Sequence, residues 1–297
     1  MEADVVIIGC GPAGLQAAIH AARAKVGVVV LGKIEGSAAY AVKMENYFGL
    51  PGAMDGTELL MNGIRQARSF GAEFMQCNVL SAVPSEKGFK FVAETGEEIV
   101  SKAVILASGV SRVKLGAPGE KELYGKGVSY CAHCDCNFYK GRRVAIVGSQ
   151  SEAAVSAELM THYASKVYWV APDMDVDPSL EQKAVSAGAE VMRSAVAAIE
   201  GDGKVEHLRL EDGTVLDVDG VFIELGGKSS VDMAMDLGLM PELDDTIKVG
   251  RDCSTDVPGI FACGDITGRP WQLAKAVGEG AVAGLSASAY AKKGAGN

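Results

Sequence analysis

Two stretches of the chain carry the same pattern of apolar and polar positions. In the first, a short apolar run at residues 4–8 leads through a glycine turn into an alanine-rich segment at 12–24 and an apolar run at 26–31. Shorter β-like runs follow, and the apolar segment VILASG at 104–109 closes the copy. This order of strand, glycine turn, helix and strand predicts right-handed βαβ units in a parallel sheet.

The second stretch repeats the order. An apolar run at 143–147 precedes a glycine turn, a predicted helix near 152–163 and a predicted strand at 166–171. The segment VFIELG at 221–226 closes this copy. The repetition predicts an α/β fold with two Rossmann-like, three-layer domains of the dinucleotide-binding type.

The end of the chain is too short to form a domain of its own. It contains a strand-like run, VPGIFACGD at 257–265, and a glycine- and alanine-rich helix predicted at about 270–291. We expect this segment to complete the first domain, which is then discontinuous. The expected boundaries assign 1–113 and 243–297 to the first domain and 114–242 to the second.

Composition and charge exclude several classes of partner. The 297 residues are 48% hydrophobic and carry a net charge of −10, which disfavours binding to nucleic acid or to anionic lipid. Residues 117–240 hold 20 of the 38 acidic residues but only 11 of the 28 basic ones. No apolar run reaches the ~18 residues typical of a membrane span, and no leader pattern follows Met1, so we expect a cytoplasmic protein.

The clustered cysteines are the strongest sign of chemistry. Seven cysteines occur, and the CxxC pair of Cys131 and Cys134 precedes the first strand of the second domain. Two such thiols on the first turn of a helix can form a disulfide, and the helix N-terminus favours the thiolate that exchanges with other disulfides. Asp135 can exchange the required proton.

A zinc site and an inert buried cluster are the alternatives to redox chemistry for the cysteine cluster. Its possible zinc ligands are too crowded in sequence to form a closed tetrahedron, so we expect no metal. His133 is either a thiolate stabiliser or a spacer.

The first glycine turn predicts a dinucleotide site. In GCGPAG, Gly9 makes the turn, Gly11 lets backbone N–H groups approach a pyrophosphate, and Gly14 allows close packing of helix and strand. The acid expected after Leu31 is missing, so this turn alone does not identify the dinucleotide. Asp265 can accept a hydrogen bond from a ligand hydroxyl or cap the following helix. A ligand held from both ends of the chain favours FAD.

Together these segments resemble a known family. It is the low-molecular-weight thioredoxin reductases, which are FAD-containing pyridine-nucleotide disulfide oxidoreductases. The similarity runs nearly end to end and rests on GCGPAG at 9–14, ENYFGLPG at 45–52, ASG at 107–109, GKGVSYCAHCD at 125–135 and VPGIFACGD at 257–265.

The resemblance implies a homodimer in which reduced flavin passes two electrons to an internal disulfide that then reduces thioredoxin. By this resemblance Cys134 faces the flavin, Cys131 attacks the thioredoxin disulfide and Asp135 is the acid. Trp271 stands where the family has an arginine. The implied FAD-binding residues are Gly9, Gly11, Pro12, Ala13, Gly14, Asn46, Ala107, Gly109, Gly264, Asp265, Trp271, Gln272 and Leu273.

The second domain departs from this family where NADPH is expected to bind. Its turn reads GSQSEA at 148–153, so Gln150 replaces the glycine that admits a pyrophosphate, and Glu152 adds negative charge. The loop after the next strand has no arginine, and a 2′-phosphate is repelled by its three acids, Asp173, Asp175 and Asp177. The sequence therefore predicts an NAD(P)-binding-like domain that carries the CxxC pair but does not serve NADPH.

The favoured hypothesis is a thioredoxin reductase-type flavoenzyme that, like the ferredoxin-dependent flavin thioredoxin reductases, takes electrons from ferredoxin. One alternative is an NADH-dependent reductase with Asp173 on the ribose 2′-hydroxyl. Others are a dithiol oxidase that uses O2 and a non-enzymatic flavin redox sensor. An acidic ferredoxin requires a basic patch on the first domain. The candidates for it are Lys33, Lys43, Arg65, Arg68, Arg112 and Lys114.

Overall fold

The computed structural model divides the chain into two compact units. One is formed by residues 1–111 together with 229–297, and the other by residues 112–228. The described residues are 1–109, 114–225, 230–242 and 245–293, without the side chains of Cys134 and Ser230.

The helices and strands of the first unit come from both ends of the chain. This unit begins with β1 Glu2–Ile8, α1 Pro12–Arg23, β2 Val28–Leu31, β3 Lys43–Met44, β4 Met54–Asp55, α2 Gly56–Ser69, β5 Glu73–Met75, β6 Val79–Ser85, β7 Gly88–Ala93 and β8 Glu98–Leu106. The second unit contains β9 Val128–Ser129, α3 Ala132–Asp135, β10 Arg143–Val147, α4 Ser151–Thr161, β11 Lys166–Val170, α5 Pro178–Ala187, β12 Glu190–Met192, β13 Val196–Glu200, β14 His207–Leu210, β15 Val215–Asp217 and β16 Gly220–Ile223. The chain returns to the first unit with α6 Ser230–Asp236, β17 Ile260–Ala262 and α7 Leu273–Lys293. Short 3₁₀ helices lie at Ile34–Gly36, Cys136–Tyr139 and Asp265–Thr267.

The central strands of the first unit's sheet are buried on both faces. Strands β5, β2, β1 and β8 run parallel in that order, β17 pairs with β8, and β7 and β6 extend the sheet in antiparallel fashion. In β1, Val5 and Ile7 face one core while Val6 and Ile8 face the other, and all four side chains are buried. A strand with two buried faces reads as a continuous apolar run, which is why the sequence predicts it well.

Helices α1, α2 and α7 cover one face of this sheet. The alanines of α1 are buried there, and α1 packs closely against α7. A Cβ built at Gly280 would lie 2.2 Å from the Ala13 carbonyl oxygen, and one at Gly284 would lie 2.4 Å from that of Ala17. Glycine at these positions therefore lets the two helix backbones approach each other.

Helix α6 belongs to the first unit, which moves the second boundary away from the expected position. The sequence predicts that boundary at 242, whereas the structure divides the chain between 228 and 229. The cause is packing, because Met233, Ala234 and Leu237 are buried in the same core as β1 and β8. The first boundary differs by two residues from the expected 113.

The second unit repeats the parallel arrangement. Its sheet has the order β12, β11, β10, β16 and β9, and β13, β14 and β15 form a separate antiparallel sheet. Side chains from both sheets share one apolar core. The predicted strands at 143–147 and 166–171 are confirmed as β10 and β11. Both units therefore have the mixed α/β fold of Rossmann-like domains.

Two predicted elements near the end of the chain are shorter than expected. The strand predicted at 257–265 is confined to β17, and the helix predicted from about 270 begins at Leu273. The Gln272 carbonyl is the acceptor for the Ala276 N–H at 3.0 Å, so the helical hydrogen bonds start there.

Within the described ranges, no helix is both long and apolar enough to cross a membrane.

The helix contact in the first unit gives a matched test of stability. We expect Gly284→Ala to lower the free energy of unfolding by about 1–3 kcal/mol, because its Cβ would meet the Ala17 carbonyl. The control is Gly278→Ala in the same helix, whose Cβ meets no described atom within 4 Å beyond the local helix backbone. This control should stabilise the protein by about 0.5–1 kcal/mol through helix propensity. Urea unfolding followed by circular dichroism measures both; equal effects would contradict the packing argument.

Candidate active site

Of the three glycines in the first glycine turn, only Gly11 leaves room for a ligand. A Cβ at Gly9, where φ is +118°, would lie 2.3 Å from the Ala107 carbonyl oxygen, and one at Gly14 would lie 1.9 Å from the Gly9 oxygen. At Gly11 the nearest described atom would be the Ser37 Oγ at 3.4 Å. Gly11 is also the N-cap of α1, and no described side chain caps the helix there. Backbone N–H groups of this turn can therefore be approached by an anionic group such as a phosphate.

The CGD turn near the end of the chain is held by an ion pair. Lys275 Nζ donates to the carbonyl oxygens of Gly264 and Gly268 at 2.7 and 2.8 Å. Glu279 accepts the Gly264 N–H at 2.9 Å and pairs with Lys275 at 3.1 Å. Gly264 lies beside Ala13, because a Cβ on this glycine would be 2.8 Å from that of Ala13. The turn thus lies next to the start of α1.

Asp265 does not cap the last long helix. It is the first residue of a 3₁₀ helix whose N-cap is Gly264, and α7 begins only at Leu273. The capping alternative is therefore wrong for α7. Partial burial raises the pKa of the Asp265 carboxyl, while the positive charge of Lys275 acts in the opposite direction.

Residues from the two ends of the first unit meet at a second point. Asn46 Nδ2 donates to Gln272 Oε1 at 3.2 Å, although the two residues are 226 positions apart. The Arg269 guanidinium carbon lies 4.2 Å from the centroid of the half-exposed Trp271 ring. A guanidinium is therefore present beside position 271, even though the residue itself is not an arginine.

The remaining residues implied for FAD binding also lie in the first unit. Pro12 and Ala13 open α1, Ala107 follows β8, and Leu273 opens α7. Gly109 has a φ of +74°, a value that favours glycine. The redox cysteines and Asp135 lie in the other unit.

Cys131 is disulfide-bonded in the structure. Its side chain is 7% exposed, and α3 begins at the next residue. The Cys131 N–H donates to Ser129 Oγ at 3.1 Å, and the Asp135 N–H donates to the Cys131 carbonyl at 3.3 Å. The Cys134 side chain lies outside the described part of the structure. Among the residues that are described, no group of three or more His, Cys, Asp or Glu side chains is arranged to hold a metal ion.

Aromatic residues follow the redox segment. Phe138 is 76% exposed, whereas Tyr139 packs edge-on against Phe222 with a centroid distance of 5.0 Å. Burial raises the pKa of the Tyr139 hydroxyl, and the nearby Asp135 carboxylate raises it further. Gly220 makes room for this ring, because a Cβ there would lie 2.3 Å from it.

Sequence reasoning missed Glu224, which contacts the redox segment. Glu224 Oε1 accepts the backbone N–H of Ala132 at 2.8 Å and the Ser156 hydroxyl at 3.3 Å. The side chain is 5% exposed. The available signal was the acid in VFIELG, since a carboxylate directly after an apolar strand needs buried partners.

The second glycine turn keeps the backbone geometry of the first. A Cβ at Gly148 would lie 2.0 Å from the Glu224 carbonyl oxygen. The fully buried Trp169, which the sequence assigns to the core, donates its ring N–H to the Gly148 carbonyl at 2.8 Å. The turn itself is thus as tightly fixed as that at Gly9.

Beyond Gly148 the two turns differ. Gln150, the N-cap of α4, donates from Nε2 to Asp175 Oδ2 at 3.3 Å, and the Asp175 N–H donates to the Ser149 carbonyl at 2.8 Å. Two hydrogen bonds therefore connect the loop after β11 to the second glycine turn. Glu152, in the first turn of α4, is 4% exposed. A hydrogen-bonded glutamine side chain thus stands at the position where the first unit has the open Gly11.

Four of the other cysteines have thiols whose pKa values are raised by burial, which makes them poorly reactive. Burial raises the pKa of Cys10 to about 12 and that of Cys253 to about 11, and it also raises the pKa values of Cys77 and Cys263. The buried free thiols are Cys10, Cys77, Cys136, Cys253 and Cys263.

Thiol labelling tests whether the buried thiols react more slowly than the redox pair. With pKa values raised by burial to about 12 and about 11, the Cys10 and Cys253 thiols are almost entirely protonated at pH 8. In the folded, oxidised protein we therefore expect iodoacetamide to leave both unmodified, whereas after mild reduction Cys131 and Cys134 should be labelled first. Peptide mass spectrometry gives the sites, and a denatured sample is the control. Rapid modification of Cys10 or Cys253 in the folded protein would contradict the assignment.

Comparison with known proteins supplies the family. The model for the pyridine nucleotide-disulphide oxidoreductases matches residues 3–280. A thioredoxin reductase of Aquifex aeolicus is 39% identical over 275 residues, covering 89% of this chain and 85% of the relative.

Two solved structures are similar over nearly the whole chain. The atypical thioredoxin reductase of Desulfovibrio vulgaris Hildenborough has a TM-score of 0.83 and 38% identity, with 98% of each chain covered. A ferredoxin-flavin thioredoxin reductase of Clostridium acetobutylicum has a TM-score of 0.68 and 33% identity, again with 98% of each chain covered. With its two Rossmann-like units and its disulfide at Cys131, the chain belongs to the pyridine nucleotide-disulphide oxidoreductase family and is an oxidoreductase of the thioredoxin reductase type.

Proposed function

We propose that this protein passes two electrons from reduced FAD to a Cys131–Cys134 disulfide and from there to thioredoxin, with ferredoxin rather than NADPH as the donor. Members of the family are FAD-dependent, and the similar proteins are thioredoxin reductases. The observation that carries the choice of donor is the hydrogen bond from Gln150 to Asp175 across the second glycine turn.

The residues of the first unit fit FAD. The open position at Gly11 lies at the N-terminus of α1, where N–H groups can hold a pyrophosphate. Asp265 and the Asn46–Gln272 pair supply polar groups for the rest of the ligand. When bound, FAD supplies the two electrons that reduce the disulfide.

Two thiol-disulfide exchanges carry the electrons onward in this proposal. The Cys131 thiolate attacks one sulfur of the thioredoxin disulfide, which forms a mixed disulfide and releases one thioredoxin thiolate. The Cys134 thiolate then attacks the Cys131 sulfur, which re-forms the internal disulfide and releases the second thioredoxin thiolate. Asp135 gives a proton to a leaving thiolate and regains one from solvent. Two electrons and two protons thus move to thioredoxin.

The second unit is poorly suited to NADPH. A pyrophosphate at its turn would have to displace the Gln150–Asp175 bond and approach the buried Glu152. A 2′-phosphate would meet the acids of the loop after β11 without a compensating arginine. Asp173 is exposed in this loop, and an NADH-dependent enzyme with this carboxylate on the ribose is the main alternative.

A ferredoxin donor requires a basic surface on the first unit. Arg65 and Arg68 lie three positions apart on α2. Arg23 stacks on Phe70 at the end of this helix, with its guanidinium carbon 5.5 Å from the ring centroid. These arginines are the proposed contact for an acidic ferredoxin. Lys33 is instead paired with Glu94 at 3.5 Å.

The other basic candidates lie elsewhere in the chain. Lys43 is exposed in the short strand β3 of the first unit. Arg112 lies outside the described residues, and Lys114 is exposed at the start of the second unit.

The proposal also includes a homodimer in the cytoplasm. Leu285 and Tyr290 leave apolar surface exposed on α7, which a second copy can cover. The free buried thiols suit a reducing compartment.

The FAD site can be tested without turnover. We expect Gly11→Ala to fold, because φ is −79° and the new Cβ has an ordinary 3.4 Å contact, but to lose FAD because the methyl group occupies the pyrophosphate position. A drop in FAD affinity on the order of tenfold or more, from the flavin-to-protein absorbance ratio after dialysis, is the expected result. Gly36→Ala is the control, since its Cβ meets no described atom within 4 Å. Retention of FAD equal to wild type would remove Gly11 from the site.

Anaerobic reduction of the flavin tests the donor. NADPH, NADH and reduced ferredoxin are each added to the purified holoenzyme with oxidised thioredoxin. We expect flavin bleaching and thioredoxin reduction with ferredoxin alone, because the second glycine turn is blocked. Fast bleaching by micromolar NADPH overturns the proposal, and bleaching by NADH alone establishes the main alternative. Rapid O2 consumption with a small dithiol would instead indicate a dithiol oxidase.

Two sets of variants test the role of the disulfide and that of the second glycine turn separately. Cys131→Ser should leave flavin bleaching intact and abolish thioredoxin reduction. Gln150→Gly with Asp175→Asn removes the bond across the turn and should increase NADPH binding in calorimetry. The control is Asp177→Asn alone, which removes a carboxylate of the same loop that accepts the Ser179 N–H at 2.8 Å but keeps the Gln150–Asp175 bond. This control should bind NADPH less well than the double variant.

A further inference from the structure

Lys275 makes more contacts than an ion pair with Glu279 requires. The three protons of its ammonium group meet three uncharged oxygens, because Nζ donates to the Gly264 carbonyl at 2.7 Å, to Thr267 Oγ1 at 2.7 Å and to the Gly268 carbonyl at 2.8 Å. Glu279 Oε2 lies 3.1 Å from the same nitrogen and supplies the opposite charge. All hydrogen-bond donors of this side chain are therefore directed at one turn of the backbone.

The lysine and the glutamate hold both ends of a short helix. Gly264 and Gly268 are the N-cap and the C-cap of the 3₁₀ helix Asp265–Thr267. Lys275 donates to the carbonyls of both caps, and Glu279 accepts the Gly264 N–H at 2.9 Å. Two side chains of α7 thus fix the backbone on both sides of the carboxyl-bearing residue that opens the 3₁₀ helix.

Helix stability does not explain this pair of charges. Lys275 is the third residue of α7, in the turn where the helix dipole disfavours a positive charge. A glutamate four residues before a lysine also stabilises a helix more than the reverse order, which is the one found here. Both the position and the order of the charges are therefore the less favourable choice for α7 itself. The contacts with the turn explain them instead.

We propose that Lys275 and Glu279 are positioning residues for FAD, which hold the turn at 264–268 in its ligand-binding shape before the ligand arrives. This inference rests on the proposed function, which places FAD in the first unit with Asp265 as one of its polar groups. The turn lies next to the start of α1, where the pyrophosphate is expected. A turn that is already ordered loses less conformational entropy on binding, and this raises the affinity. Neither positioning residue has to touch FAD for this effect.

The rate of FAD release from the holoenzyme tests the proposal. In Lys275→Met the side chain stays long and unbranched but donates no hydrogen bond. We expect FAD to leave at least about tenfold faster after strong dilution, as measured by the rise of free-flavin fluorescence. Lys292→Met is the matched control, because Lys292 is exposed in the last turn of the same helix, and it should stay within about twofold of wild type. Equal release rates in Lys275→Met and wild type overturn the proposal.

An exchange of the two charges separates this role from support of the helix. Lys275→Glu combined with Glu279→Lys keeps an ion pair of the same spacing and gives it the more favourable order. It also places a carboxylate against the carbonyls of the turn and an ammonium group against the Gly264 N–H. We expect this variant to release FAD as fast as Lys275→Met while its far-UV circular dichroism matches wild type. Release as slow as in wild type would assign the pair to helix stability and overturn the proposal.

Thr267 offers a milder pair of variants if those at position 275 do not fold. Its hydroxyl accepts from Lys275 and lies 2.7 Å from Glu279 Oε2. Thr267→Ser keeps the hydroxyl and should retain FAD within about twofold of wild type, whereas Thr267→Val removes it at nearly the same volume and should release FAD about three- to tenfold faster. Equal rates in these two variants overturn the proposal.

The outcomes distinguish the positioning role from the function on which it rests. If wild type binds no FAD, or if Gly11→Ala retains FAD as wild type does, the assigned FAD site is wrong and the positioning role falls with it. If Gly11→Ala loses FAD but the folded Lys275 and Thr267 variants release it at the wild-type rate, only the positioning role is overturned. Neither result depends on which donor reduces the flavin.

Discussion

Both units depend on one close backbone contact at the carboxyl edge of a parallel sheet. The glycine that follows β1 in one unit and β10 in the other lies against a carbonyl that follows a neighbouring strand. A Cβ would be 2.3 Å from this carbonyl oxygen at Gly9 and 2.0 Å at Gly148. No side chain fits either place. The contact brings the start of the next helix over the strand ends, where polar groups from distant segments can meet.

The two turns share this contact but differ two residues later. In the first unit the glycine at position 11 leaves the helix N-terminus open, and the unit collects Gly264, Ala13 and Ala107 around it. In the second unit Gln150 is bonded to Asp175, and the acid Glu152 is buried in the first turn of the helix. The same backbone framework thus leaves the helix N-terminus open in one unit and places a hydrogen-bonded side chain there in the other.

The sequence predicts those features that depend on neighbouring residues. Strand β1 is visible because both of its faces are buried, and the glycine turn and the CxxC pair are visible because their chemistry is contained in a few consecutive positions. The sequence does not show where α7 starts or which unit contains α6, since these depend on which carbonyl begins the helix and which core receives α6. Contacts such as Asn46 with Gln272 join residues 226 positions apart, and no local pattern encodes them.

Glu224 shows how the turn and the disulfide are linked. Its carbonyl lies against Gly148, and its carboxylate holds the N–H next to Cys131. The residue that completes the backbone contact of the second turn is therefore also one that anchors the redox segment. Because its carbonyl and its side chain contact different segments, the geometry of the turn and the position of α3 depend on the same residue at the end of β16.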